Sequence, residues 1–109
     1  IMKIAFDIDG TVLTQGTPEH NYDGCEPLPG MVDVVNDLYD AGHEIYFFTA
    51  RHFKHFVKID NMLKAYGFKY HGLVMNKISC DLFVDDRGFR MDNNIDELKK
   101  LIWILNGRE

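Results

Sequence analysis

Along this chain, short apolar runs alternate with stretches of helical spacing. Ile4, Ala5, Phe6 and Ile8 mark a first strand over residues 3–8. Residues 11–29 carry Gly16, Pro18, Gly24, Pro27 and Pro29 and read as an irregular flap. A helix is predicted from about Gly30, with Met31, Val34, Val35 and Leu38 on its apolar face and Gly42 closing it. Residues 44–49 form a second strand. A second helix is predicted over 53–66, with Phe53, Phe56, Val57, Leu63 and Tyr66 inward and Gly67 as its stop. Gly72–Met75 and Asp81–Asp85 read as third and fourth strands. A last helix from about Asn94 turns Ile95, Leu98, Leu101, Ile102 and Leu105 inward and ends at Gly107.

Strands alternating with helices imply βαβ units, a small and mainly parallel sheet, and helices on both faces. The expectation is a single α/β domain over residues 1–109, in a three-layer Rossmann-like fold. Such sheets bind ligands beyond the carboxyl ends of their strands. The residues at those ends are Asp7 and Asp9, then Thr49, then Asn76 and Lys77, then Asp85 and Asp86. All are polar or charged, and all suit phosphate or metal.

Asp7 and Asp9 stand two apart. In an extended chain such residues share a face at roughly 6–7 Å. Two carboxylates so placed can flank one reacting centre, one attacking while the other protonates a leaving group. Four acids brought together would repel one another, and a hard divalent cation such as Mg²⁺ relieves that. Lys77 offers a cation for phosphoryl oxygens, Thr49 a hydroxyl, and Gly10 and Ala50 backbone N–H donors.

DIDGT at 7–11, the apolar run ending in Thr49, Lys77, and FVDD at 83–86 resemble, in order, the four motifs of the haloacid dehalogenase (HAD) phosphohydrolase superfamily. The likeness spans nearly the whole chain. It implies Asp7 as nucleophile and Asp9 as general acid/base, with Thr49 and Lys77 on the phosphoryl group. It implies Mg²⁺ held by Asp7, the Asp9 carbonyl and Asp85, with Asp86 acting through water. The family fold places the first and fourth strands side by side. Ile78 stands where many relatives have proline, and the fourth motif is a bare Asp-Asp pair. FTAR at 48–51 and LFVDDRGFR at 82–90 are similar to small capsule-biosynthesis phosphatases. No segment between the motifs is long enough for a cap domain. A capless site is open to a bulky substrate or closed by a second copy of the chain.

The expected activity is therefore a Mg²⁺-dependent phosphomonoesterase working through an aspartyl-phosphate on a small phosphorylated sugar. A nucleotide or polynucleotide-end phosphatase is the alternative enzyme. A phosphate- or metal-binding or interaction module is the alternative outside catalysis. Seventeen acidic against twelve Lys and Arg residues give a net charge of −5, which disfavours a nucleic-acid partner. No apolar run reaches the ~20 residues of a membrane span, and Cys25 and Cys80 read as free thiols, so the expected setting is cytoplasmic.

Singly, several of these residues have plainer readings. Asp7 and Asp9 suit a turn, Lys77 a solvated surface, and Asp85 and Asp86 a turn or helix cap. Arg51 could face substrate or make a salt bridge. Phe53 and Phe56 read as core; their exposure would instead suggest a subunit interface.

Overall fold

The computed structural model describes residues 1–107 of the chain. Its centre is a parallel sheet of three strands, β1 (Lys3–Asp7), β2 (Glu44–Phe48) and β3 (Gly72–Val74), in spatial order β1-β2-β3. Three helices accompany it: α1 (Met31–Asp40), α2 (Phe56–Ala65) and α3 (Ile95–Asn106). The arrangement is the small Rossmann-like α/β fold expected from the alternation.

Register sets which side chains meet. Ile4 stands opposite Ile45, Phe6 opposite Phe47, and Phe47 opposite Leu73. Phe47 is fully buried, with the Phe68 and Tyr70 rings edge-on at 5.4 and 5.1 Å. Ile8, Val12, Leu13, Val35, Ile45, Ile59 and Leu63 are fully buried with it. Burying each such side chain contributes roughly 1.5–3 kcal/mol, which is what holds so small a sheet together. Two histidines to which the sequence pattern assigns no role brace the same sheet. His43 Nδ1 accepts the Met2 N–H at 2.9 Å, and His71 Nδ1 accepts the Ile45 N–H at 3.0 Å.

Helix α1 starts where expected. Gly30 takes a left-handed φ of 79°, and a Cβ there would come within 2.9 Å of Ile95 Cδ1. Glycine therefore serves both the turn into α1 and the close approach of α3. Asn36 on α1 brackets the end of α2, giving its amide to the Gly67 carbonyl and accepting the Lys69 N–H, both at 2.8 Å.

Helix α2 departs from its predicted face. Residues Phe53–His55 form a separate 3₁₀ turn, and Ile59 and Leu63 are the side chains that α2 buries. Phe53, Phe56, Val57 and Tyr66 are exposed. Phe53 lies in the 3₁₀ turn ahead of α2, and Phe56, although spaced i, i+3, i+7 with Ile59 and Leu63, sits in the first turn of the helix and stays 40% exposed. In α3, Leu98 is buried and Ile95 and Ile102 pack beside it, but Leu105 is exposed.

The fourth strand is absent: residues 81–85 make no ladder, and Leu82 and Val84 are 72% and 89% exposed. Asp85 instead folds back locally, its Oδ1 accepting the N–H groups of Arg87 at 2.7 Å and Gly88 at 2.6 Å. The side chain thus closes a turn on the residues that follow it. With no strand beyond it among the described residues, β1 lies at the edge of the sheet. Among the described residues no helix is long and apolar enough to cross a membrane.

Candidate active site

Asp7 is the last residue of β1, half-buried where the strand meets solvent. Its Oδ1 lies 3.1 Å from Lys77 Nζ, and its Oδ2 accepts from the Thr11 hydroxyl at 3.5 Å. Lys77 is carried there by the turn after β3, where its backbone N–H bonds the Thr49 carbonyl at 3.1 Å. Its ammonium also lies over the Phe83 ring, 4.8 Å from the centroid. Strand ends from β1, β2 and β3 thus meet at one edge, as the parallel topology requires.

Asp9 is held differently. The chain turns sharply after Ile8, whose carbonyl accepts the N–H groups of Thr11, Val12 and Leu13. Gly10 sits in that turn at φ 78°. Asp9 Oδ1 accepts from Gly16 N at 2.9 Å and Arg51 Nη2 at 2.5 Å, and Oδ2 from Arg51 Nε at 2.9 Å. The pair is a bidentate fork of the strong, oriented kind. Arg51 is therefore a salt-bridge partner within the site, with a side chain 2% exposed. Burial acts against its charge, but Asp9 and then Cys25 more than offset this and hold the guanidinium above its usual range. Its Nη1 has no hydrogen-bond partner among the described residues.

The flap is a fitted structure around Arg51. The Tyr22 ring stacks on the guanidinium with its centroid 4.1 Å from Cζ, and Cys25 Sγ lies 3.6 Å from Nη2. A Cβ on Gly16 would come within 2.8 Å of both Cys25 Sγ and Tyr22 Cδ1, so only glycine fits. Lys58 of α2 ties down the Asn21 carbonyl and the Asp23 carboxylate, and the Tyr66 hydroxyl donates to the Cys25 carbonyl. His55 packs edge-on against Tyr22. Desolvation, then the positive charges of Lys54, Lys58, His52 and Arg51, hold its pKa below the usual imidazole value.

The remaining sequence candidates divide. Thr49 is in place but only 1% exposed, and its hydroxyl oxygen accepts the Arg51 N–H at 3.1 Å. Gly10 is in place, but its N–H is spent on the Leu13 carbonyl at 2.8 Å. Ala50 is exposed beside Thr49. Asp85 and Asp86 are not drawn in: both are exposed, Asp85 closes its own turn, and Asp86 faces Arg87 at 4.0 Å. Among the described residues, no group of three or more His, Cys, Asp or Glu is arranged to hold a metal ion. The expected set of Asp7, Asp9, Asp85 and Asp86 is thus not assembled, because the strand meant to deliver its second half is not formed. Gly16 and Tyr22 join the site without any motif to mark them, and Thr11, the last residue of the DIDGT run, joins it through Asp7. The small-residue positions of the flap are legible in the sequence, but not what they pack against.

Beside Gly10 opens a cavity of about 460 Å³. Thr14, Gln15, Met31, Met91 and Asn93 are among the residues lining it, mixing apolar and hydrogen-bonding groups. It falls within the range of roughly 300–1,000 Å³ usual for small-molecule pockets.

No family model matches the chain. Over 50 residues it is 38% identical to a Bacillus cereus protein named "Putative nucleotidase", a stretch that is 46% of this chain and 26% of that protein. The likeness thus spans about a quarter of the relative's length. Across 93% of this chain and 96% of the other, the fold matches the crystal structure of a structural-genomics target from Vibrio cholerae, with a TM-score of 0.70 and 22% identity. That likeness shows the fold.

Proposed function

We propose that this chain is a phosphomonoesterase of the HAD type. The single observation that carries the reading is the Asp7 carboxylate at the open end of β1, faced by Lys77 at 3.1 Å, with Asp9 two residues on. The ordered motifs and the distant likeness to a nucleotidase support it.

In the proposed reaction, an Asp7 carboxylate oxygen attacks phosphorus in line. The bond from phosphorus to the leaving oxygen breaks, and that oxygen takes a proton from Asp9. Water then attacks the aspartyl-phosphate, giving its proton to Asp9, and phosphate departs with Asp7 restored. Lys77 offsets charge on the transferring oxygens, and Thr11 helps fix the rotamer of Asp7. Because Asp9 Oδ1 already takes two donors and Oδ2 one, the open acceptor position on Asp9 is on Oδ2. Mg²⁺ belongs to the proposal through the motif resemblance. The acids as placed do not form its ligand set, and no step above passes through the ion.

The substrate proposed is a small phosphate monoester whose leaving group enters the cavity beside Gly10. The motif resemblance favours a sugar phosphate; the likeness to a nucleotidase favours a nucleoside monophosphate as a second reading. Phosphate release from sugar phosphates, nucleoside monophosphates and an aryl phosphate, with Mg²⁺ or EDTA, tests both. Release lost in Asp7→Asn supports the phosphatase, and the preferred ester identifies the class. Equal release by wild type and Asp7→Asn would overturn it.

A further inference from the structure

We propose that Arg51 is a positioning residue that latches the flap to Asp9, so that the acid is aimed only when the flap is seated. The inference rests on the phosphatase reading for its kinetic part alone.

The geometry is a closed chain of contacts. Arg51 grips both carboxylate oxygens of Asp9, and Gly16 of the flap gives its N–H to one of them. Tyr22 of the same flap covers the guanidinium, and Cys25 lies against it. Removing the flap would take away one donor from Asp9 and the roof over Arg51 together. Removing Arg51 would leave Gly16, Tyr22 and Cys25 packed against a void. The two ends of the latch belong to different elements, the loop after β2 and the loop after β1, so neither follows from local sequence. Arginine suits the position because its planar fork fixes a carboxylate in two directions and offers a flat face for stacking, which lysine cannot do.

The latch also shapes the neighbouring cavity. Thr14 and Gln15 form part of its wall and lie within the flap just ahead of Gly16. Seating the flap therefore aims Asp9 and completes the leaving-group pocket in one movement. Arg51 acts here through Asp9 and the flap, and its effect should follow how much the leaving group needs a proton. An alkoxide needs one; 4-nitrophenolate does not.

The test has two arms. Hydrogen exchange is measured on wild type, Arg51→Lys, Asp9→Asn and Tyr22→Ala. Faster exchange across residues 14–25 in all three variants, with β1 and β2 unchanged, is expected. Unchanged exchange in Arg51→Lys and Asp9→Asn would overturn the latch whether or not the protein is a phosphatase. The kinetic arm compares an alkyl phosphate with 4-nitrophenyl phosphate. Arg51→Lys should lose on the order of 10²-fold in kcat/KM, which covers the steps through release of the alcohol, on the alkyl ester, the usual share of general acid catalysis, and much less on the aryl ester. Tyr22→Ala, which leaves Arg51 and Asp9 intact, should show the same asymmetry in weaker form. Equal losses on both esters would reduce Arg51 to a structural residue and overturn the proposal. If wild type releases no phosphate from either ester, the phosphatase reading fails, while the exchange arm still decides the latch.

Discussion

Lys77 reaches Asp7 across the full width of the sheet end, its ammonium 3.1 Å from the carboxylate and only partly exposed. The turn after β3 makes this reach, and the Lys77 backbone is itself pinned to Thr49. In the proposed reaction, a cation so held would meet the phosphoryl oxygens without reorganisation. Replacing it with methionine should lower kcat on phosphate esters by about 10²–10³-fold, the scale seen when one preorganised donor is removed. Stability should change little, because such partly solvated pairs contribute about 0–1 kcal/mol. Steady-state kinetics and thermal melting of Lys77→Met check the two halves separately.

Mg²⁺ gives a sharper test of the acids. A ligand that binds only the folded chain at 100 times its Kd raises stability by about 2.7 kcal/mol. Wild type is expected to melt higher in millimolar MgCl₂ than in EDTA, and Asp7→Asn is expected to lose that rise. If Asp85→Asn loses it too, the loop from 81 to 86 must move toward β1 when the ion binds. A rise that survives both substitutions would place the ion elsewhere.

Asn36 carries a structural prediction. Its side chain makes two 2.8 Å bonds, to the Gly67 carbonyl and the Lys69 N–H, joining α1 to the segment that leads into β3. Each hydrogen bond contributes about 0.5–1.5 kcal/mol. Asn36→Ala should cost about 1–3 kcal/mol by urea unfolding, with kcat unchanged.

Asp60 carries a pH signature. Its hydrogen bond from Lys64 at 2.8 Å, then that from the Tyr70 hydroxyl, hold its carboxyl below the usual value. Burial, then Asp60 itself, push Tyr70 well above its usual value. A depressed folded pKa contributes stability that is fully present above the unfolded pKa of about 3.9 and is lost as pH falls through the folded value. The stability gap between wild type and Asp60→Asn should therefore stay constant from pH 7 to about pH 5 and close in more acid solution. A gap that widens on acidification would contradict this sign.

Much of the fold is legible in the sequence. The apolar runs at Ile4–Phe6 and Ile45–Phe48 and the periodicity of Met31, Val34 and Val35 mark β1, β2 and α1, because each element buries the face that its spacing advertises. Asp7, Thr49 and Lys77 stand out as strand-end residues, and the parallel topology brings them together. Phe53 and Phe56 mislead because spacing does not show where the core ends: Phe53 lies in a 3₁₀ turn and Phe56 in the first turn of α2, and both stay exposed while Ile59 and Leu63 are buried. The segment 81–85 misleads because an apolar run between two acids satisfies a strand pattern without saying which ladder will accept it. Arg51 leaves two readings open, and only the folded chain chooses Asp9. The packing of Gly16 against Tyr22 and Cys25 is a long-range fit with no periodic signature.

The position of β1 at the sheet's edge has a consequence for concentration as well as chemistry. An edge strand presents an unpaired row of backbone donors and acceptors, and here that row belongs to the strand ending in Asp7. Any strand that joins it, from this chain or a neighbour, must lie about 4.8 Å away. A strand added there would lie beside the proposed site, so self-association and the proposed turnover would share one border of the molecule. Crowding this protein with copies of itself should register first in its rate, before it registers in its shape.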